Sequence, residues 1–421
     1  MKMMKKHSFI LNGLIPGILL LSLFGGTTAH AVTWTVDDDL VQFPGASFTT
    51  IQAAVDAASS GDIIQVYPGI YDENILIDKT LTLLGAQYGK DGRSRKVPLT
   101  KESYIVAGDN HFNLKADNIV VDGFWIDVDL RDDDEGVGIQ TFTDYSGYII
   151  INNIMDARLT TALVPGNGGQ YQMLVRHNLF LRRFGIDMDS ELGTGVHNVV
   201  IEENLFKNSS LLLSNNSFSD IWIRKNKWIQ GGISIDSMEE IDGIANYNIS
   251  ITQNKIYDSN YTSLGLTNVA DIVVEDNILT NGHVDAIYLY GSNSSLQIVN
   301  NRISKFDNAG INIFSDDPYF APLTDGITEV FNNEIEENRF GIVFFHSHDI
   351  DVHGNSIENN DEFGIYASSL SANNLIEGNE IRGNGVLDAR DGSIGAGTAG
   401  TANTWIDNEG SRCMPTGICT D

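Results

Sequence analysis

The chain has 421 residues, 56 Asp and Glu against 26 Lys and Arg, a formal charge of −30, and two cysteines. That is enough chain to bury a large core. So acidic a protein repels nucleic acid, which needs basic patches, and repels an anionic polysaccharide unless a cation bridges the two. The acidity also serves to keep an exported repeat protein soluble.

The chain opens with Lys2, Lys5 and Lys6, an apolar run from Ile10 to Phe24, and then Ala29-His30-Ala31. A basic head, an apolar core and small residues at a cleavage site predict a signal peptide over 1–31, with a mature chain from Val32. Loss of the three lysines takes the charge from −30 to −33. A membrane anchor is the alternative, and Asn12, Pro16 and the glycines interrupt the run it would need. No Cys follows to carry a lipid. No later stretch is apolar enough to span a bilayer. A secreted or periplasmic location is expected, with no membrane contact after signal removal.

Next, Ile51, Ala54, Val55 and Ala58 fall at i, i+3, i+4 and i+7, which predicts a short amphipathic helix. Thr49 or Thr50 would be its N-cap and Gly61 its stop. Strands are predicted in "DIIQVYPG", "NILIDK" and "LTLLGA". The stretch 32–88 reads as a cap with the first coils.

From Asn153 onward one phrase recurs: apolar or β-branched residues, two further residues, Asn, one residue, an apolar residue. The Asn positions are 153, 178, 204, 226, 254, 277, 301, 333, 355, 379 and 408, at intervals of 22 to 32 residues. No helical period accompanies them. Each unit reads as short alternating strands separated by Gly, Asn, Asp and Ser. Such a period predicts an all-β solenoid of about 11–12 coils stacked about 4.8 Å apart, with the repeats over 89–405. Asn would then occupy one corner of every coil. It tolerates a left-handed turn, and its amide can donate to one neighbour and accept from the other. A leucine-rich horseshoe has a similar period, but Leu-x-x-Leu-x-Leu is missing.

A second phrase follows each Asn: "FGIDMDS", "GGISIDS", "AIYLYGS", "AGINIFS", "FGIVFFHS", "FGIYASS". Alternate residues on this strand face outward. Counting from each Asn gives one outward column of Asp187, Leu213, Ser234, Gly265, Tyr288, Asn312, Val343 and Tyr366. The adjacent column is Asp189, Asn215, Asp236, Thr267, Tyr290, Phe314, Phe345 and Ser368. One end of this face is acidic and the other aromatic. Aromatic faces stack on sugar rings and carboxylates bind their hydroxyls, so Tyr288, Tyr290, Phe314, Phe345 and Tyr366 are candidate substrate-binding residues. The loop 315–326 folding over these rings is the alternative explanation. Asp187, Asp189 and Asp236 are the catalytic candidates. Asp189 and Asp236 lie two coils apart, about 10 Å, which side chains can close to the about 6.5–9.5 Å of an inverting carboxylate pair.

"RDDDEG" makes Asp132, Asp133, Asp134 and Glu135 candidate Ca²⁺ ligands, since Ca²⁺ takes several oxygens. A solvated loop explains the same run, and no other cofactor is called for. His346 and His348 share a face while His353 lies elsewhere, and the Met- and Cys-rich pattern expected for copper handling is missing. At the end of the chain, 406–421, Cys413 and Cys419 would form a small disulfide loop.

"TIQAAVDAASSGDIIQVYPGIYDENILIDKTLTLLGA" resembles the opening of exported right-handed parallel β-helix proteins, the pectin lyase-like, pectin methylesterase-like and NosD-like groups. Its marks are the helix, Gly61-Asp62, Pro68-Gly69-x-Tyr71 and Leu83-x-Gly85. "TWIDNEGSRCMPTGIC" resembles the tails of such proteins. The resemblance implies a right-handed parallel β-helix with a short N-terminal capping helix, and many chemistries share that scaffold. "LRRFGIDMDSE" resembles the Tyr-Gly-Phe-Asp-Pro-His strand of mannuronan epimerases. Phe184, Gly185, Ile186 and Asp187 match in kind, Met188 and Asp189 depart, and Arg182 and Arg183 could neutralise a uronate. "NGHVD" resembles the Gly-His-Gly of polygalacturonases, with Val284 for the second Gly, but the acidic motifs of that family are not evident. The expectation is an exported monomer that binds a polysaccharide and cleaves it as a hydrolase or lyase. The alternative is a non-catalytic surface, adhesion or binding module.

Overall fold

The computed structural model describes residues 31–106, 110–128, 136–158, 161–189, 195–214, 218–236, 247–291, 293–314 and 327–420. The expected signal peptide, apart from Ala31, lies outside them. So do Asp132, Asp133, Asp134, Glu135, Asn215 and the loop 315–326. Val32–Asp421 forms one compact unit. No helix among the described residues is long and apolar enough to cross a membrane.

Short β-branched strands alternate with turns, and apart from the first pair (Thr33–Val36 with Ile63–Val66) and the last (Leu387–Asp391 with Cys413–Met414) each strand pairs in parallel with the strand three strands further along the chain. Every coil therefore gives one strand to each of three sheets, of fifteen, fourteen and thirteen strands. This is a right-handed parallel β-helix. It extends beyond the coils marked by the Asn phrase, because those before Asn153 pair without one.

Period-2 alternation sends one residue of each strand into the core. In the fifteen-stranded sheet the inward column runs Val121, Ile150, Val175, Ile201, Ile223, Ile251, Val274, Ile298, Val330, Val352 and Ile376, each at most 1% exposed. Burial of each such side chain stabilises by about 1.5–3 kcal/mol. In the thirteen-stranded sheet Phe180, Phe206 and Trp228 stack at 4.6 Å in successive coils.

The Asn phrase marks the corner between the fifteen- and thirteen-stranded sheets. All eleven asparagines, Asn153 to Asn408, are at most 3% exposed. The backbone N–H of Asn178 donates to Asn204 Oδ1 at 2.9 Å, and Asn204 donates likewise to Asn226. Each amide also donates to a carbonyl of the preceding coil, as Asn226 Nδ2 does to Ile201 O at 2.8 Å. The left-handed residue, however, is the one before the Asn. His177, Glu203, Lys225, Gln253 and Asp276 have φ between 53° and 57°. A left-handed non-glycine residue costs about 1–2 kcal/mol, and the ladder hydrogen bonds offset it. A second ladder, Asn338–Asn360–Asn384, stands at another corner, with backbone N–H to side-chain Oδ1 distances of 3.0 Å.

The capping helix is Ile51–Ala57, with Ile51, Ala54 and Val55 buried. Thr50 occupies the N-cap position but makes no side-chain cap bond. Glu73 takes that role, accepting from the N–H groups of Ile51 (2.8 Å) and Gln52 (2.9 Å). The helix stops at Ala57 before reaching Gly61, whose φ of 93° turns the chain into the following strand Ile63–Val66. At the other end Cys413 and Cys419 are joined in a disulfide, and Cys413 pairs with Ala389 on the fourteen-stranded sheet.

Candidate functional site

The outward face of the fourteen-stranded sheet carries both predicted columns. Its strands include Phe184–Asp189, Ser210–Ser214, Ile233–Asp236, Leu264–Thr267, Ile287–Tyr290, Ala309–Phe314 and Phe340–Phe345. Register places Asp187, Leu212, Ser234, Gly265, Tyr288, Asn312, Val343 and Tyr366 in one line. The adjacent line is Asp189, Ser214, Asp236, Thr267, Tyr290, Phe314 and Phe345. Three expected members differ. Leu213 is fully buried, and Leu212 takes its place outside. Ser214 holds the position expected for Asn215. Ser368 is buried just beyond its strand, bonded to Ser371. The slip arises because the turn after each Asn varies in length from coil to coil.

Asp187 and Asp189 thus stand on one strand and Asp236 two coils along, about 10 Å away at the backbone. Asp236 is half-buried, and its Oδ1 finds no hydrogen-bond partner among the described residues. Burial holds its carboxyl above the usual carboxylate range.

Beside these carboxylates is a cleft of about 580 Å³. Its floor is Ser210, Leu212, Ser234 and Gly265, and Arg183, Phe184 and Tyr261 are among its walls. The turn Gln230-Gly231-Gly232 also lines it and packs tightly on the preceding coil, since a Cβ on Gly231 would lie 2.0 Å from Ser209 O. Tyr261 projects from the longer neighbouring turn and is 80% exposed. Sequence reading missed Tyr261 because it lies on a turn, outside any alternating pattern. Arg183 lies 5.9 Å from the Phe184 ring, whereas Arg182 pairs with Asp156 at 3.1 Å.

On the other side of Gly265 the aromatic residues begin. Tyr288 and Tyr290 lie 6.0 Å apart with planes 24° apart. Tyr290, Phe314 and Phe345 stack in successive coils at 5.6 and 5.1 Å, and His346 follows at 4.8 Å from Phe345. Stacking covers the inner faces of these rings with one another, so the strip presents edges to solvent and free faces only at its ends. Tyr366 is not part of it. Val343 intervenes, and Tyr366 clusters with Phe363 at 5.5 Å and with the Arg390 guanidinium at 5.8 Å.

The histidines do not converge. His346 lies on Phe345, His348 pairs with Asp349 at 3.0 Å, and His353 stacks on Phe331 in the fifteen-stranded sheet. His283, of the "NGHVD" stretch, pairs with Asp307 at 2.9 Å on a turn, and Asp285 is buried. Among the described residues only Asp37, Asp38 and Asp39 bring three metal-ligand atoms within 4.8 Å of one another.

Fold and outward face together define the class of parallel β-helix repeat proteins. Within it, residues 196–409 match the family described as periplasmic copper-binding protein (NosD), and the chain belongs to that family. The family is a periplasmic one and the chain is exported, secreted or periplasmic. No curated protein matches the sequence. Among solved structures, the A-module of a mannuronan C-5 epimerase from Azotobacter vinelandii is 15% identical, covers 87% of this chain and 94% of its own, and has a TM-score of 0.55. A periplasmic alginate epimerase (13% identity, 84% of this chain and 76% of that chain, TM-score 0.46) is similar too. So is the catalytic unit of an α-1,3-glucanase from Streptomyces thermodiastaticus (14%, 93% and 71%, 0.43). At these identities the likeness is one of fold.

The family's description raises copper, which favours thiolate, thioether and imidazole ligands. Both cysteines are in the disulfide, Met155, Met173 and Met188 are fully buried in the core, Met414 is exposed on the last strand, and His346, His348 and His353 go to separate partners. The Asp37–Asp39 group offers only hard oxygens, and Asp37 already accepts from Phe43 N at 2.5 Å. The described residues do not fit copper.

Proposed function

We propose that this exported β-helix protein binds a polysaccharide along the outward face of its fourteen-stranded sheet and cleaves it there by hydrolysis. The observation that carries the reading is the continuity of that face. Asp187, Asp236, the cleft and Tyr288–Tyr290 follow one another along two registered columns. A long ligand laid along this face would reach all of them.

Hydrolysis needs one carboxyl kept protonated to meet the leaving oxygen and one ionised to take a proton from water. Asp236 suits the first role, because burial favours its neutral form. Asp189, in the same column two coils away, is the candidate for the second. Asp187 adds negative charge beside the developing positive charge on the sugar. Tyr288, Tyr290, Phe314 and Phe345 line the continuation of the path, and Tyr366 would meet only a ligand long enough to pass Val343. Ca²⁺ at Asp132–Glu135 would serve an anionic ligand. Asp236→Asn should lower turnover by about 10²–10⁴-fold while leaving glycan binding intact. Full activity in Asp236→Asn would remove it from the mechanism.

The second reading is a binding module without catalysis, which the family's description as a binding protein favours. New reducing ends, or their absence, from a glycan that binds separate the two.

A further inference from the structure

The gap at Gly265 carries the inference furthest. Outward positions of the neighbouring coils in its column hold Ser234 and Tyr288. A glycine inside a strand gives up packing and usually marks a bend, a bulge or a close approach by another group. Gly265 pairs in regular register on both sides, and its φ is not positive. No neighbouring atom crowds it either, since a Cβ there would meet only Ser234 Oγ at 3.6 Å. Neither conformation nor packing explains the glycine.

What the missing side chain does is leave a ring face open. The aromatic stack runs from Tyr290 through Phe314 and Phe345 away from Gly265, so the ring normals follow the solenoid axis. Phe314 covers one side of Tyr290. The sides of Tyr288 and Tyr290 that face back along the axis look toward Gly265 and Thr267. The cleft ends at the same glycine, and Asp236 stands one coil further on, opposite Thr267.

We propose that the space over Gly265 is a subsite for one uncharged sugar ring, seated against the Tyr288–Tyr290 pair with its hydroxyls toward Asp236 and Thr267. This rests on the polysaccharide reading above and names the class of ring it takes. A uronate would bring its carboxylate to a face whose registered columns carry Asp187 and Asp189. Among the described residues Arg183 is the only base lining the cleft, and it sits at the opposite end beside Phe184.

Calorimetric titration with β-1,4-linked hexasaccharides of glucose, N-acetylglucosamine and mannose, and with α-1,4-linked hexagalacturonate with and without Ca²⁺, tests this on the full mature chain. Wild type should bind at least one neutral hexasaccharide and not the galacturonate. Gly265→Tyr, which extends the ring stack into the gap, should keep the thermal midpoint and weaken binding about tenfold or more. Gly265→Ala, whose Cβ meets only Ser234 Oγ at 3.6 Å, should keep the thermal midpoint and weaken binding less than Gly265→Tyr does, so that a lesion at the backbone is told apart from a filled subsite. Unchanged binding in a folded Gly265→Tyr overturns the subsite and leaves the glycan reading standing. Binding of galacturonate alone overturns the ring class. Binding of none of the sugars overturns both.

Discussion

Asp236 is the residue on which chemistry and stability make opposite demands. Its carboxyl is half-buried and lies above the usual range because burial disfavours the charge. A group whose folded pKa is raised contributes stability below its unfolded value and loses it as pH rises through the folded one. Asp285 behaves in the same way. Burial raises it although it accepts from Asn308 (2.7 Å), Ala309 N (3.0 Å) and Asn312 (3.2 Å). Stability should therefore fall as pH rises from about 4 through the raised values of these two groups. Asp236→Asn should flatten part of that fall and stabilise the protein at pH 7 while lowering turnover. Urea denaturation of both proteins across pH 4–8 measures it, and a D236N protein less stable than wild type at pH 7 would contradict the burial account. The acid and aromatic residues of the site could be seen in the sequence because they sit on strands that alternate strictly. Tyr261, Gln230 and the glycine turn could not, because turn residues carry no period and meet only when coils stack.

At the scale of the element, the corner asparagines were legible because those from Asn178 to Asn379 use the same four groups, the backbone N–H, both amide hydrogens and the side-chain oxygen. Asn226 shows this, bonded to Asn204, Asn254 and Ile201. Asn226→Leu should leave Asn204 N–H and Ile201 O without partners, at about 1–3 kcal/mol for each buried orphan. A shift of the denaturation midpoint reads it, and an unchanged midpoint would mean the ladder is dispensable. The left-handed residue before each Asn escaped notice because only its backbone is constrained. His, Glu, Lys, Gln, Asp, Asn and Gly all occur there. The capping bond from Glu73 was hidden for another reason, since its partners are about twenty residues upstream, across a coil.

For the whole molecule, the solenoid must close its ends, because an open coil offers apolar surface and unpaired strand edges. The helix Ile51–Ala57 packs its buried face there, beside the strand Ile75–Ile77. Removing 32–61 should yield a protein that aggregates at micromolar concentration, visible by light scattering. A monomeric, equally stable truncation would mean the helix is not a cap. The architecture could be read from repetition, which many coils state many times. Function could not be read so directly, since the outward face is written once and its two columns depend on a register that varying turns obscure.

The central claim is that one face of this solenoid holds a glycan, and a crystal structure with the tightest-binding neutral hexasaccharide tests it most directly. The expected density runs along the outward face of the fourteen-stranded sheet, with one ring over Gly265 against Tyr288 and Tyr290 and hydroxyls toward Asp236. Density on either of the other two sheets, with that face empty, would contradict it.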